Sequence, residues 1–332
     1  MGLKNLYWFV KHGTFKKLAN LMLVEFSTRL KLPFVLGMPY TVMIEPTNYC
    51  NLRCPLCPAG NKYMRRAKGF MDIKLYKKII DALSPYLYEL VIWNYGEPLL
   101  HKNIWDFIKY AKQKKIPKVL LSTNLQLFKK KDLKSLFESN LDILIVSLDG
   151  VTNKTYRSYR KGGNVYKVIS NLKEIIAYKR SKKYSYPFIE LQFIVMRQNE
   201  HEIRKFQKLA KELGVDKAIL KKVNPTMGIP KNKRQDMIKK YNPKDTRFIR
   251  YKINTKNCPV LKRSTVINWD GTISPCCIDY FGDYLIGNVS VQKFRKIWKS
   301  KPYQKIRALN RKGALDICRD CTTFEKEIRV EL

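Results

Sequence analysis

Acidic residues are scarce in this chain: 27 Asp and Glu stand against 66 Lys and Arg, giving a net charge of +39 over 332 residues. Such a field draws anionic partners, whether nucleic acid, acidic lipid or a phosphorylated substrate, although a merely lysine-rich solvated surface gives the same total. No recognised nucleic-acid-binding motif accompanies the charge, so charge alone names no partner. Long apolar runs are missing too. None reaches the ~18 residues of a spanning helix, which excludes a helical membrane span. No small-residue cleavage pattern follows an apolar region in Met1 to Val10, so an export signal is not expected. The expected location is cytoplasmic, and the eight cysteines are therefore read as metal ligands before disulfides. Internal repeats and low-complexity tracts are absent, and histidine is limited to three residues. His101 and His201 read as helix-start or surface residues, not ligands.

What is present is a globular composition, with 45% hydrophobic and 12% aromatic residues, enough for one large core and a smaller second domain. Between Thr14 and Lys31, Phe15, Leu18, Met22, Phe26 and Leu30 recur at helical spacing. The expected helix packs this stripe against the rest of the protein; the alternative lays it on an anionic membrane surface, making the protein peripheral to the membrane. From Tyr40 onward, strand-like runs (Tyr40–Glu45, Tyr88–Trp93, Lys118–Ser122, Asp142–Leu148, Phe188–Met196, Asp216–Val223) alternate with helical ones (Asp72–Leu83, Asn103–Lys115, Lys131–Ser139, Asn164–Arg180, Glu200–Leu213). That alternation predicts an α/β fold with a parallel sheet, and six repeats give a partial barrel in place of a closed eight-stranded one. The expected domains are an N-terminal extension at 1–38, a core at 39–223, a Pro- and Lys-containing linker at 224–257 and a small C-terminal α+β domain at 258–332. In that last domain Asp270-Gly271 is expected to turn a hairpin between Thr265–Trp269 and Thr272–Pro275. Helical segments at Val291–Lys299 and Tyr303–Arg311 follow it.

Three cysteines, Cys50, Cys54 and Cys57, fall in the run Cys-Asn-Leu-Arg-Cys-Pro-Leu-Cys just after the first strand. Three thiolates on so short a loop suit three corners of an iron–sulfur cube and leave the fourth iron open to a small molecule. Zinc fits less well, because it takes four ligands and no histidine stands nearby to complete the set. Gly96-Glu97-Pro98, Asn124 and Ser147-Leu148-Asp149 all lie at or just past the C-terminal ends of later strands, where ligands collect in such folds. For each polar residue a plain strand-end or cap interaction is the alternative. Cys258, Cys276, Cys318 and Cys321 form a second set, which suits a cluster or zinc.

In their order along the chain, these motifs resemble the radical SAM superfamily over roughly residues 40–223. The resemblance implies a [4Fe–4S] cluster on Cys50, Cys54 and Cys57 whose open iron holds S-adenosyl-L-methionine (SAM). Its reductive cleavage yields a 5′-deoxyadenosyl radical that removes hydrogen from a substrate. By resemblance, Gly96, Glu97, Pro98, Asn124, Ser147, Asp149 and Arg160 are cofactor-binding residues. Tyr95 replaces the first glycine of the usual Gly-Gly-Glu-Pro, and Leu56 stands where an aromatic residue is common. The second cysteine set resembles the auxiliary SPASM/twitch domain, as in the 2-deoxy-scyllo-inosamine dehydrogenase-like alcohol oxidases. This implies a second, four-cysteine [4Fe–4S] cluster, with Cys277 left out of the ligand set. The implied reaction is a two-electron oxidation, with the second electron passing to the auxiliary cluster. Modification of a peptide, or of a membrane-associated sugar or lipid, is the alternative. A basic Fe–S protein that binds nucleic acid or transfers electrons is the non-enzymatic one. The implied partners are a small-molecule or peptide substrate and an electron donor such as flavodoxin or ferredoxin. The catalytic base is not identified; Asp279 and Glu190 are candidates.

Overall fold

A computed structural model describes residues 9–10, 12–61, 63–250, 255–319, 321 and 328–330. The expected repeats are present as β1 (Thr41–Ile44), β2 (Glu89–Val91), β3 (Lys118–Thr123), β4 (Ile143–Ser147), β5 (Phe188–Val195) and β6 (Lys217–Lys222). All six pair in parallel with their sequence neighbours, the arrangement expected when helices return the chain between them. A helix α1 (Phe15–Arg29) precedes β1. The connections carry α2 (Ile73–Leu83), α3 (Ile104–Gln113), α4 (Asp132–Glu138), α5 (Asn153–Tyr159), α6 (Val165–Ser181) and α7 (Ile203–Leu213). Their starts are set by the local sequence: the Asp72 carboxylate accepts from the backbone N–H of Lys74 and Leu75, and the Asn164 side chain from that of Tyr166.

Alternation along each strand sorts its side chains. Val42 and Ile44, Val119 and Leu121, Leu144 and Val146, and Ile189, Leu191, Phe193 and Val195 enter the main core beneath the helices. The face turned away from the helices carries Glu45, Ser122, Ser147, Glu190 and Gln192. The core binds the helices; the polar face is left for the site.

The C-terminal region is tied into the same sheet. The order is β8-β7-β1-β2-β3-β4-β5-β6-β9, in which β7 (Ser264–Ile267) runs parallel to β1, Thr41 facing Ser264. The Asp270-Gly271 turn joins β7 to β8 (Ile273–Ser274), and β9 (Ile328–Val330) pairs antiparallel with β6. The stretch from Asn224 to Asn257 holds more than a bare connection: α8 (Arg234–Tyr241) lies within it, flanked by short turns of 3-10 helix. Beyond it come α9 (Val260–Arg263), α10 (Phe294–Trp298) and α11 (Lys301–Lys312).

The N-terminal helix forms where its periodicity placed it but faces the other way. Of the five stripe residues Leu18 alone packs against the core; Phe15, Met22, Phe26 and Leu30 point outward, Phe15 with 88% of its surface exposed. Buried in their place are Leu21, Val24 and four polar residues, Lys17, Asn20, Glu25 and Ser27. Each polar group has a partner, which removes the usual cost of burying it. Asn20 bonds both the N–H and the C=O of Met38, Glu25 pairs with Arg263 and accepts from the Tyr40 hydroxyl, and Lys17 donates to the Lys115 carbonyl.

Candidate active site

The loop after β1 is built to hold its cysteines close to the sheet. The Cys57 N–H donates to the Cys54 carbonyl, and the Gly60 N–H to that of Cys57. Gly60 lies so near that a β-carbon there would sit 2.5 Å from the Cys54 nitrogen. Gly96 fixes the loop from the other side. Its φ of +90° suits glycine, and a β-carbon would lie 2.3 Å from the Thr47 carbonyl oxygen. The next residue, Glu97, donates its N–H to the Tyr49 carbonyl at 2.8 Å, directly ahead of Cys50.

Glu97 is buried and fixed. Its carboxylate accepts from the Thr123 hydroxyl at 2.6 Å and from the N–H groups of Asn124 (2.8 Å) and Leu99 (3.1 Å). Burial nonetheless pushes its pKa up. Pro98 begins a short 3-10 turn capped by Glu97. Asn124 donates to the Asn51 side chain at 2.9 Å and comes within 3.9 Å of Cys50 Sγ. Asp149 is wholly buried: one oxygen accepts from the Ile194 N–H at 2.7 Å, the other from Arg160 Nε at 2.6 Å. Burial works against the Arg160 charge, but Asp149 and then Cys54 outweigh it and raise its pKa. Ser147, half-buried, stands on the same strand face two residues before Asp149. The positions singled out in the sequence thus gather at one end of the sheet.

Contacts not evident from the sequence complete the surroundings. Glu45, at the end of β1, is buried and accepts from Arg66 at 2.9 and 2.7 Å. A charged residue ending an apolar strand was the signal that could have revealed it. Tyr95, the residue that displaces the usual glycine, is buried, and its hydroxyl donates to the Cys277 carbonyl. Its ring meets Tyr280 edge-on at 6.0 Å.

The second cysteine set surrounds an apolar nest. Cys258, Cys276 and Cys318 pack with Leu261, Ile306 and Leu315, and Cys277 joins their edge. Cys321 is buried as well. Asn310 ties the loops together: its Oδ1 accepts from the Cys258 N–H at 2.8 Å, and its Nδ2 donates to the Thr255 carbonyl and lies 3.4 Å from Cys318 Sγ. The candidate bases are otherwise engaged. Glu190 accepts from Lys217 at 2.7 Å, and Asp279 accepts from the N–H groups of Asp283 and Tyr284. His101 uses both ring nitrogens, against the Met71 carbonyl and the Asn103 N–H.

The thiols fit iron–sulfur ligation chemically. Burial raises the pKa of Cys50 to about 12 and raises those of Cys54 and Cys57. Without a cationic centre these groups stay protonated; a metal cluster is what makes them thiolates. N–H donors already stand by the sulfur, with the Leu52 nitrogen 3.4 Å from Cys50 Sγ. Among the described residues no three Cys, His, Asp or Glu side chains close round a point as the ligands of one ion would. Ligands of a cube, by contrast, bind separate irons.

Comparison with known proteins agrees with this geometry. The radical SAM superfamily matches residues 44–210, and the SPASM iron–sulfur cluster-binding domain matches residues 258–322. The chain belongs to the radical SAM superfamily, whose domain implies a [4Fe–4S] cluster and SAM; its SPASM domain implies auxiliary iron–sulfur clustering. It is 24% identical over 314 residues to a tungsten-containing aldehyde ferredoxin oxidoreductase cofactor-modifying protein of Pyrococcus furiosus, covering 84% of this chain and 86% of that one. It is 30% identical over 161 residues to a GTP 3′,8-cyclase of Synechocystis; the match covers 48% of this chain and 47% of the cyclase. The fold is shared with BtrN in complex with AdoMet and 2-DOIA (TM-score 0.56, 18% identity, 87% of this chain and 94% of that one). It is shared also with Streptococcus suis SuiB bound to precursor peptide SuiA (TM-score 0.66, 17% identity, 90% and 74%).

Proposed function

We propose that this radical SAM enzyme carries out a two-electron oxidation of a small molecule, with Cys50, Cys54 and Cys57 holding the SAM-binding cluster and Cys258, Cys276, Cys318 and Cys321 an auxiliary one. When bound, the cluster and SAM supply a 5′-deoxyadenosyl radical that removes one hydrogen atom from a substrate carbon. Gly96 lets the backbone approach closely, Glu97 and Asn124 orient the cysteine loop and the cofactor, and Arg160, held by Asp149, offers its cation to the cofactor carboxylate. After hydrogen abstraction, one proton and one electron must still leave for the oxidation to balance. Cys258, Cys276, Cys318 and Cys321 would hold the cluster that takes up this electron, and the proton would leave to solvent.

The observation that carries this reading is Tyr95. Its backbone belongs to the turn that seats Glu97, and its hydroxyl donates to the carbonyl of Cys277, beside Cys276. One buried aromatic side chain therefore spans from the first cysteine site to the second. Beside it, a cavity of about 410 Å³ is lined by Ile229, Tyr280, Phe281, Asp279, Arg65 and Cys321, large enough for a small molecule. A second reading, modification of another enzyme's cofactor, has the support of the similarity to the Pyrococcus furiosus protein along most of both chains.

The test uses anaerobic holoprotein and a pool of candidate substrates. The oxidation predicts a product lighter by about two hydrogen masses, formed together with 5′-deoxyadenosine. Cys318→Ala is expected to keep 5′-deoxyadenosine formation and lose oxidised product at least about tenfold. Undiminished product in that variant overturns the relay, and a product of unchanged or greater mass favours the second reading.

A further inference from the structure

The apolar stripe of α1 faces solvent. Around the helix axis, Phe15, Ala19, Met22, Leu23, Phe26 and Leu30 fall on one side. All but Ala19 are exposed, by 44% to 88%, and Phe34 and Leu36 continue the patch beyond the helix end. This orientation is not loose packing. The opposite face is fastened by the Asn20, Glu25 and Lys17 bonds described above and by Lys262, which donates to the Ser27 carbonyl at 3.0 Å. The outward face is therefore a fixed feature of the fold.

Charge names the occupant. Lys16 and Arg29 border the stripe on either side, both exposed. Lys31 follows, and Arg295 of α10 and Lys299 just past its end line the adjoining groove with Phe15, Leu23 and Leu36. Between residues 12 and 37 the sole acidic residue is Glu25, which is buried and paired with Arg263. An apolar ridge with cations on both edges and no exposed acid is what a bilayer bearing anionic headgroups accepts: the apolar side chains enter the headgroup boundary while Lys and Arg meet phosphates. We propose that α1 seats this protein on the surface of an anionic membrane, without spanning it.

The topology adds a direction. The partners of α1 lie just ahead of strands: Tyr40 before β1, Lys115 before β3, Arg263 before β7. The helix thus covers the N-terminal ends of the strands, whereas the cysteine site lies past their C-terminal ends. Seated on α1, the protein holds its site away from the bilayer, open to a soluble substrate or electron donor.

The test is co-sedimentation of cluster-loaded full chain with vesicles of phosphatidylcholine alone or with roughly one third phosphatidylglycerol. Binding at least about tenfold tighter to the anionic vesicles, weakening as salt rises, is expected. The double variant Met22→Glu with Phe26→Glu, whose side chains are already in solvent, should melt like the wild type and lose vesicle binding by tenfold or more. Lys16→Glu with Lys299→Glu should lose the preference for the anionic surface alone. Equal binding to both vesicles, binding to neither, or a salt-stable dimer that the first double variant splits without any vesicle binding would each overturn the proposal.

Discussion

Gly96 shows most sharply how single residues set this site. Its positive φ and its contact with the Thr47 carbonyl leave no room for a side chain. Gly96→Ala adds left-handed strain of ~1–2 kcal/mol to overpacking of ~1–3 kcal/mol, so a loss of at least about 2 kcal/mol is expected in urea unfolding of the cluster-free chain. An unchanged midpoint would show that the 47–49 segment yields freely. The glycine was readable because its demand is local. Tyr95 was legible only as a departure from the usual motif, since its partner lies 182 positions away. Asn310 gave no sign at all: an asparagine within a helix looks solvent-facing until the fold brings Thr255, Cys258 and Cys318 around it.

At the scale of elements, sequence periodicity located the core strands and, except for the two-turn α5, the core helices to within a few residues, because burial on one side leaves a period that few other forces disturb. It failed on α1 for a physical reason. Period reports that a helix has two unlike faces, and says nothing of which one the protein covers. The polar face is inside because every group on it finds a distant partner, which no local pattern encodes. Lys262 is one such tie. Burial, followed by repulsion from Arg307 and Arg311, lowers its pKa from about 10.5 to about 8. The penalty for burying its ammonium is complete below about pH 8 and fades as pH rises toward 10.5, where the unfolded chain also loses the proton. The stability of Lys262→Met minus that of wild type should therefore fall as pH rises from about 7 to about 10, followed by thermal melting at each pH. A difference that stays flat would mean that this amine is well solvated.

For the molecule as a whole, two cysteine sets more than two hundred residues apart in sequence are carried on one open sheet, since β7 adds itself to β1 and carries Cys276 and Cys277 behind it. The hairpin was legible from Asp270-Gly271, but its docking edge was not; edge pairing depends on which strand the fold leaves uncovered. Trp298 strengthens the join from afar, its indole N–H bonding the Gly37 carbonyl at 2.9 Å and its ring lying 4.3 Å from the Arg307 guanidinium. On the proposed function, this architecture serves a loop whose three thiolates would leave one iron unclaimed by protein. The most direct measurement is 5′-deoxyadenosine released from SAM by anaerobically reconstituted, reduced protein. Wild type should form it and Cys54→Ala should not, because two thiolates cannot keep the cube in place. Wild-type protein with its iron–sulfur absorption intact and no 5′-deoxyadenosine, or undiminished release by Cys54→Ala, would contradict the account.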